Sequence, residues 1–299
     1  MALTYHSCKL ILQSIHKHYN GFETELTMLT LGVQDSFVDL KRLNKLCLDF
    51  NVVPDLFEGD LSGRYIDTQV IFKQFKIKVY TLDFSDFEGA DFILDLNIIA
   101  QEISHTFDIV FDGGTLEHVY HLDNAMQNIG NFTKVAGLTI HLNPTSNHVD
   151  HGFYSFSPTF FNDYYKNNDY EIIDHYLIEL DLLHYCSSWR CYKYDQREFY
   201  SLSFGGWGAR PLANYFSAIK RRNVSNQKSP QQSAYLDQWS NNEYSENSKG
   251  IVREYCKKLV LSETGIFIID RIKISLLNKI LRTYRALQKK PKPSLVIKY

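Results

Sequence analysis

The sequence predicts an α/β fold, a doubly wound and mostly parallel sheet with helices on both faces. Three observations predict it: short apolar runs that end in Gly or Asp, helix-period stretches between them, and 299 residues with 44% hydrophobic content, enough to bury a large core. Strands that alternate with helical patterns need crossover connections, and these are right-handed and cover a parallel sheet on both sides.

The elements follow in order. Leu3, Leu10, Ile11, Ile15 and Tyr19 lie at helical spacing and Asn20-Gly21 stops them, so residues 1–25 form an N-terminal helical cap. Residues 26–31 are an apolar run ending at Gly32-Val33-Gln34-Asp35, followed by a helix with Phe37, Leu40, Leu43, Leu46 and Cys47 on its apolar face. Pro54, Gly59 and Gly63 interrupt residues 49–63, which suits a loop or lid. A helix over 66–75 leads to a second strand over 77–83, a third over 92–97 and a fourth over 107–111. Leu122, Ala125, Met126, Ile129 and Phe132 share one helical face, and residues 137–142 make a fifth strand that stops before Asn143-Pro144. A helix over 158–165, a strand over 170–177 and a β-rich stretch over 199–204, closed by Gly205-Gly206-Trp207-Gly208, end the domain in an antiparallel hairpin near residue 210.

Beyond the 26–210 domain, residues 223–249 have the Ser, Asn and Gln content of a linker or disordered segment. Residues 250–299 read as a basic helical tail, with helices over 251–261 and 272–287. The net charge of −2 hides this tail, because residues 271–299 hold nine Lys or Arg and no acid. It suits a helix packed on a partner, a helix on an anionic membrane surface, or a phosphate-binding arm. No nucleic-acid partner is expected. The five cysteines form no Cys-x-x-Cys pair, and no apolar run is long enough for a signal segment or a membrane span, which together point to a cytoplasmic protein. The aromatic residues over 192–200 read as hairpin packing, and the Cys186 and Cys191 pair as core or surface thiols.

The chemistry gathers at the strand ends. In an open α/β sheet ligands sit outside the carboxyl ends of the strands, and here those ends carry Gly32, Asp83, Asp95 and Asp112-Gly113. Gly32 lets a ligand approach the backbone, Asp83 can accept from both hydroxyls of a ribose, and Asp95 can accept from an adenine amino group. The fourth-strand loop, Asp112-Gly113-Gly114-Thr115-Leu116-Glu117-His118, closes the site.

This layout resembles the class I S-adenosylmethionine-dependent methyltransferases. The run Phe-Asp-Ile-Val-Phe-Asp-Gly-Gly-Thr-Leu-Glu-His-Val over 107–119 is similar to the fourth-strand motif of the branch that includes the ubiquinone-biosynthesis methyltransferases. Leu82-Asp83, Glu88-Gly89-Ala90-Asp91, Asp95-Leu96-Asn97, Asp150-His151-Gly152 and Phe156-Ser157-Pro158 resemble uncharacterised bacterial members of that superfamily. The resemblance spans roughly residues 26–205. It implies a Rossmann-like, seven-stranded sheet and bound S-adenosylmethionine. Gly32 would lie near the methionine end, Asp83 on the ribose, Asp95 and Leu96 at the adenine, and Asp112 and Gly113 beside the methyl group. Gln34, Phe84 and Gly114, on the same loops, complete the expected cofactor-binding set.

One departure narrows the cofactor. The family's glycine cluster is reduced to Gly32, and the β-branched Val33 would crowd a phosphate. The distance in sequence from Gly32 to Asp83 also exceeds the roughly 20 residues of a dinucleotide fold, so NAD is disfavoured.

Methyl transfer from a sulfonium mainly needs alignment and exclusion of water, with a base only where the acceptor must lose a proton. His118 and His151 are the expected bases, and Glu117 or Asp150 would orient them or bind the acceptor. His141, His148, Asp150 and His151 match no recognised ligand spacing, so no metal is expected. The expected acceptor is an oxygen or nitrogen on a small molecule or saccharide-like group. The alternative is a non-catalytic protein of the same fold that binds or assembles.

Overall fold

A computed structural model describes residues 2–56, 63–100, 105–181, 189–199, 207–223, 227–240 and 295–298. They form one nine-stranded sheet with helices on both faces.

Helix α1 (Tyr5–Tyr19) starts with a capping box between Thr4 and Ser7 and stops where Asn20 turns left-handed. Strand β1 (Leu26–Leu31) follows, then α2 (Leu40–Asp49), capped by the Asp39 carboxylate on the Arg42 amide. Helix α3 (Thr68–Lys73) precedes β2 (Ile77–Asp83). Strand β3 is only Phe92–Ile93, much shorter than the 92–97 run suggests. Leu94 donates to the Asp83 carbonyl at 2.9 Å, and the Asp95 carboxylate then accepts from the Asn97 amide and side chain, turning the chain out of the sheet.

Strand β4 (Phe107–Asp112) and α4 (Leu122–Phe132) match expectation, and the loop between them contains a 3-10 turn (Leu116–His118). Strand β5 (Thr133–Ser146) does not stop at Asn143-Pro144 but runs on, absorbing Pro144 with a register shift. Helix α5 (Pro158–Asn167), β6 (Tyr170–Glu179), β7 (Arg190–Lys193) and a short α6 (Gln196–Phe199) come next. Phe199 therefore ends a helical turn, while the expected residues 200–204, Gly205, Gly206 and Cys186 lie outside the described residues.

Three strands are not read as strands from the sequence, β7, β8 (Leu212–Lys220) and β9 (Leu295–Lys298). The sheet therefore continues past residue 210, and it has nine strands in place of seven. The expected tail helices over 251–261 and 272–287 lie outside the described residues. A second compact unit begins at Gln231; its described part is the helix α7 (Ser233–Ser240), inside the segment read as a linker.

Strand order is β3-β2-β1-β4-β5-β8-β6-β7-β9. The strands from β3 to β5 pair in parallel, and β8 runs antiparallel between β5 and β6. Each face carries its own apolar cluster: Met28, Ile109, Phe111 and Ile140 point to α1, α2 and α3, while Leu29, Leu31, Val110 and Met126 belong to the face of α4 and α5. The order reverses between β1 and β4, which are neighbours with Leu31 opposite Asp112. That reversal is where an open α/β sheet leaves a crevice.

Candidate functional site

The crevice is a cleft of about 230 Å³ lined by Gly32, Asp83, Phe84, Asp95, Leu96, Asn97, Thr115, His118 and Val119 among others. Larger hollows exist, one at the amino ends of β1 and β2 and one beside α4 and α5, but neither lies at the carboxyl edge where the order reverses.

Gly32 has a φ of +75°, and a Cβ there would meet the Thr115 hydroxyl at 2.9 Å. That hydroxyl donates to the Leu31 carbonyl at 2.6 Å and ties the two central loops together. Asp83 sits beside this turn. One of its oxygens accepts from the Phe84 amide at 2.6 Å, and among the described residues the other accepts from the Val33 amide, at 3.4 Å. Asp95 uses one oxygen on Asn97 and Leu96 is buried beside it. Of the expected cofactor set, the cleft thus brings together Gly32, Asp83, Phe84, Asp95 and Leu96.

Gln34, Asp112, Gly113 and Gly114 stand behind it and do not line it. Gln34 is buried and its amide donates to the carbonyls of Leu31 and Gly32. Gly113 leaves room for that side chain, since a Cβ there would stand 2.4 Å from Gln34 Oε1. Asp112 is wholly buried, with both oxygens occupied: one accepts from the amides of Thr115 and Leu116, the other from His141 Nδ1 at 2.9 Å and Asn143 Nδ2 at 2.8 Å. Burial alone would raise its pKa, but His141, Thr115 and Asn143 outweigh this and hold the carboxyl below its ordinary value. His141 passes the chain on to the Tyr165 hydroxyl at 2.5 Å.

The three expected catalytic residues meet at the rim. Glu117 is fully buried; one oxygen accepts from Asn143 at 3.0 Å, and the other has no hydrogen-bond partner among the described residues. Burial and the neighbouring Asp112 charge push this carboxyl up to about 7. His151 Nε2 lies 3.7 Å from that free oxygen, too far for a hydrogen bond, and the rings of His118 and His151 are 5.2 Å apart. Burial and the facing His151 hold the His118 imidazole below its ordinary value. Asp150 stands in the same loop with a left-handed backbone.

This meeting depends on two loops docking. The Glu117 carbonyl accepts from Phe153 and Tyr154, at 2.6 and 3.2 Å, and Gly152, at a φ of +79°, would put a Cβ 2.6 Å from the same oxygen. Sequence reading missed Thr115, Asn97, Asn143 and His141, which hold the loops in place. It also missed Tyr120 and Phe153, exposed rings that touch edge to face. Among the described residues no helix is long and apolar enough to cross a membrane.

No protein-family model matches the chain, and no curated protein does. Solved structures do. TehB from Haemophilus influenzae shares 14% identity over 70% of this chain and 61% of its own length, so the chain spans about three fifths of it, with a TM-score of 0.35. A putative sarcosine dimethylglycine methyltransferase from Galdieria sulphuraria shares 11% identity over 72% of this chain and 85% of its own, with a TM-score of 0.40. The Burkholderia thailandensis 1,6-didemethyltoxoflavin-N1-methyltransferase, solved with its substrate and S-adenosylhomocysteine, shares 11% over 72% and 79%, with a TM-score of 0.37.

Proposed function

We propose that the chain is a class I S-adenosylmethionine-dependent methyltransferase that acts on a hydroxyl or amine of a small, ring-bearing acceptor. One observation carries the reading: the carboxyl ends of β1, β2, β3 and β4 converge on a single cleft at the point where the strand order reverses. The residues there fit an adenosyl sulfonium. Gly32 lines the cleft in a left-handed turn that glycine takes without strain, and Asp83 keeps one oxygen with a long contact for ribose hydroxyls. Asp95 keeps its second oxygen for the adenine edge beside the apolar Leu96. No pyrophosphate needs a place, which agrees with Val33 in the turn.

When bound, the cofactor supplies an electrophilic methyl on a good leaving group. The chain's residues supply position and proton transfer. His118 borders the cleft and is placed to take a proton from the acceptor. Asp112, His141, Asn143 and Tyr165 fix the loop that carries it. The exposed rings of Phe84, Tyr120 and Phe153 offer faces for a flat or saccharide-like ring. Cys8, Cys47 and Cys191 are free thiols, which supports a reducing, cytoplasmic setting.

Incubation of the full chain with methyl-labelled S-adenosylmethionine and a panel of phenols, amines and sugars tests this. Label on an acceptor supports the enzyme, and a chain that binds the donor without any transfer is a binding protein instead.

A further inference from the structure

We propose that Glu117, His118 and His151 form a mononuclear site for a divalent transition-metal ion at the rim of the cleft. One ligand atom from each lies within 4.8 Å of the others, two imidazole nitrogens and one carboxylate oxygen. These come from two segments far apart in sequence, the turn after β4 and the loop after β5, locked together by the Phe153 and Tyr154 amides on the Glu117 carbonyl. Gly152 permits that approach, since any side chain there would collide with the Glu117 backbone.

A second observation points to a ligand. Glu117 is 0% exposed, yet among the described residues one of its oxygens has no hydrogen-bond partner, and it faces His151 at 3.7 Å. An unpaired buried carboxylate oxygen is costly. A hydrogen bond from His151 is out of reach at that distance, while a cation drawing both groups slightly inward would satisfy them together. The other Glu117 oxygen accepts from Asn143, which also bonds Asp112, so the carboxylate is oriented as a metal-bound acid usually is.

Two imidazoles and one carboxylate favour ions such as Zn²⁺ or Mn²⁺ over Mg²⁺ or Ca²⁺. Three protein ligands leave positions open, and His118 borders the cleft. The use of such an ion rests on the methyl-transfer reading: an acceptor oxygen on an open position would be made acidic by the ion, with His118 a ligand instead of the base. The site itself does not rest on that reading.

Isothermal titration of the metal-stripped full chain with Zn²⁺, and separately with Mn²⁺, tests it without any methyl donor, so its failure is distinguishable from failure of the methyltransferase reading. One ion per chain is expected, with binding at least about tenfold weaker in Glu117→Gln and in His151→Ala and unchanged in His121→Ala. Thermal melts without metal report whether each variant is folded. His151 is 48% exposed, so His151→Ala decides the matter even if Glu117→Gln unfolds. No binding by the wild type at millimolar ion, or equal binding by folded His151→Ala, overturns the proposal and leaves only adventitious ions on other histidines.

Discussion

The carboxylate of Asp112 and Nδ1 of His141 meet at 2.9 Å across two adjacent parallel strands, both side chains buried. The pair anchors the loop that ends in Glu117 and His118. Removing one member strands the other. We expect His141→Ala to destabilise the fold by about 1–3 kcal/mol or more, the cost of taking a hydrogen-bond partner from a buried carboxylate. Urea unfolding at neutral pH checks it, and a loss below about 1 kcal/mol would mean that the network is dispensable.

Acid should act through the carboxylates held below their ordinary values. Asp108, at the start of β4, is raised by burial but lowered more by Lys134 and by the amide and hydroxyl of Thr27. A depressed folded-state pKa contributes stability above the unfolded value of about 3.9 and loses it as pH falls. Asp108→Asn should therefore cost stability at pH 7 and much less at pH 3. An equal cost at both would show that the charge is not what matters.

The two loops at the rim give a matched test. Gly89 and Gly152 both have positive φ, but a Cβ at Gly89 meets nothing within 4 Å while one at Gly152 meets the Glu117 carbonyl. Gly89→Ala should cost about 1–2 kcal/mol for backbone alone. Gly152→Ala should cost more and also lower methyl transfer. Equal costs with full activity would detach this loop from the site.

His118→Ala should reduce kcat by about 10²-fold or more while changing cofactor affinity little, whether the imidazole is the base or holds an ion. Turnover kinetics beside a titration separate the two effects. Unchanged turnover would return His118 to a structural part.

The central sheet was legible because β1 and β4 are buried on both faces and read as apolar runs, and β2 alternates between buried and outward residues before its buried Thr81-Leu82 end. The cleft was legible too, since Gly32, Asp83 and Asp95 follow those runs directly. Strand β8 was not. All nine of its residues are buried, including Asn214, Ser217 and Lys220, so it shows no alternation. Lys220 looks like a surface residue but donates to the carbonyls of Gly130 and Thr133, capping α4 from within the fold. The burial of Asp112 was equally hidden, because its partners His141 and Asn143 lie some thirty residues on and only the β4–β5 register brings them opposite. His151 and Glu117 meet for a similar reason, through backbone bonds that no sequence spacing encodes.

The claim on which the rest depends is that the reversal cleft holds an adenosyl group through Asp83. Titration of S-adenosylhomocysteine into the wild type and into Asp83→Ala tests it most directly. The account predicts one-to-one binding, weakened in the variant by about 1.5–3 kcal/mol, roughly 10- to 150-fold, with an unchanged melting transition. Equal affinity of the two proteins, or no binding by the wild type, would contradict it.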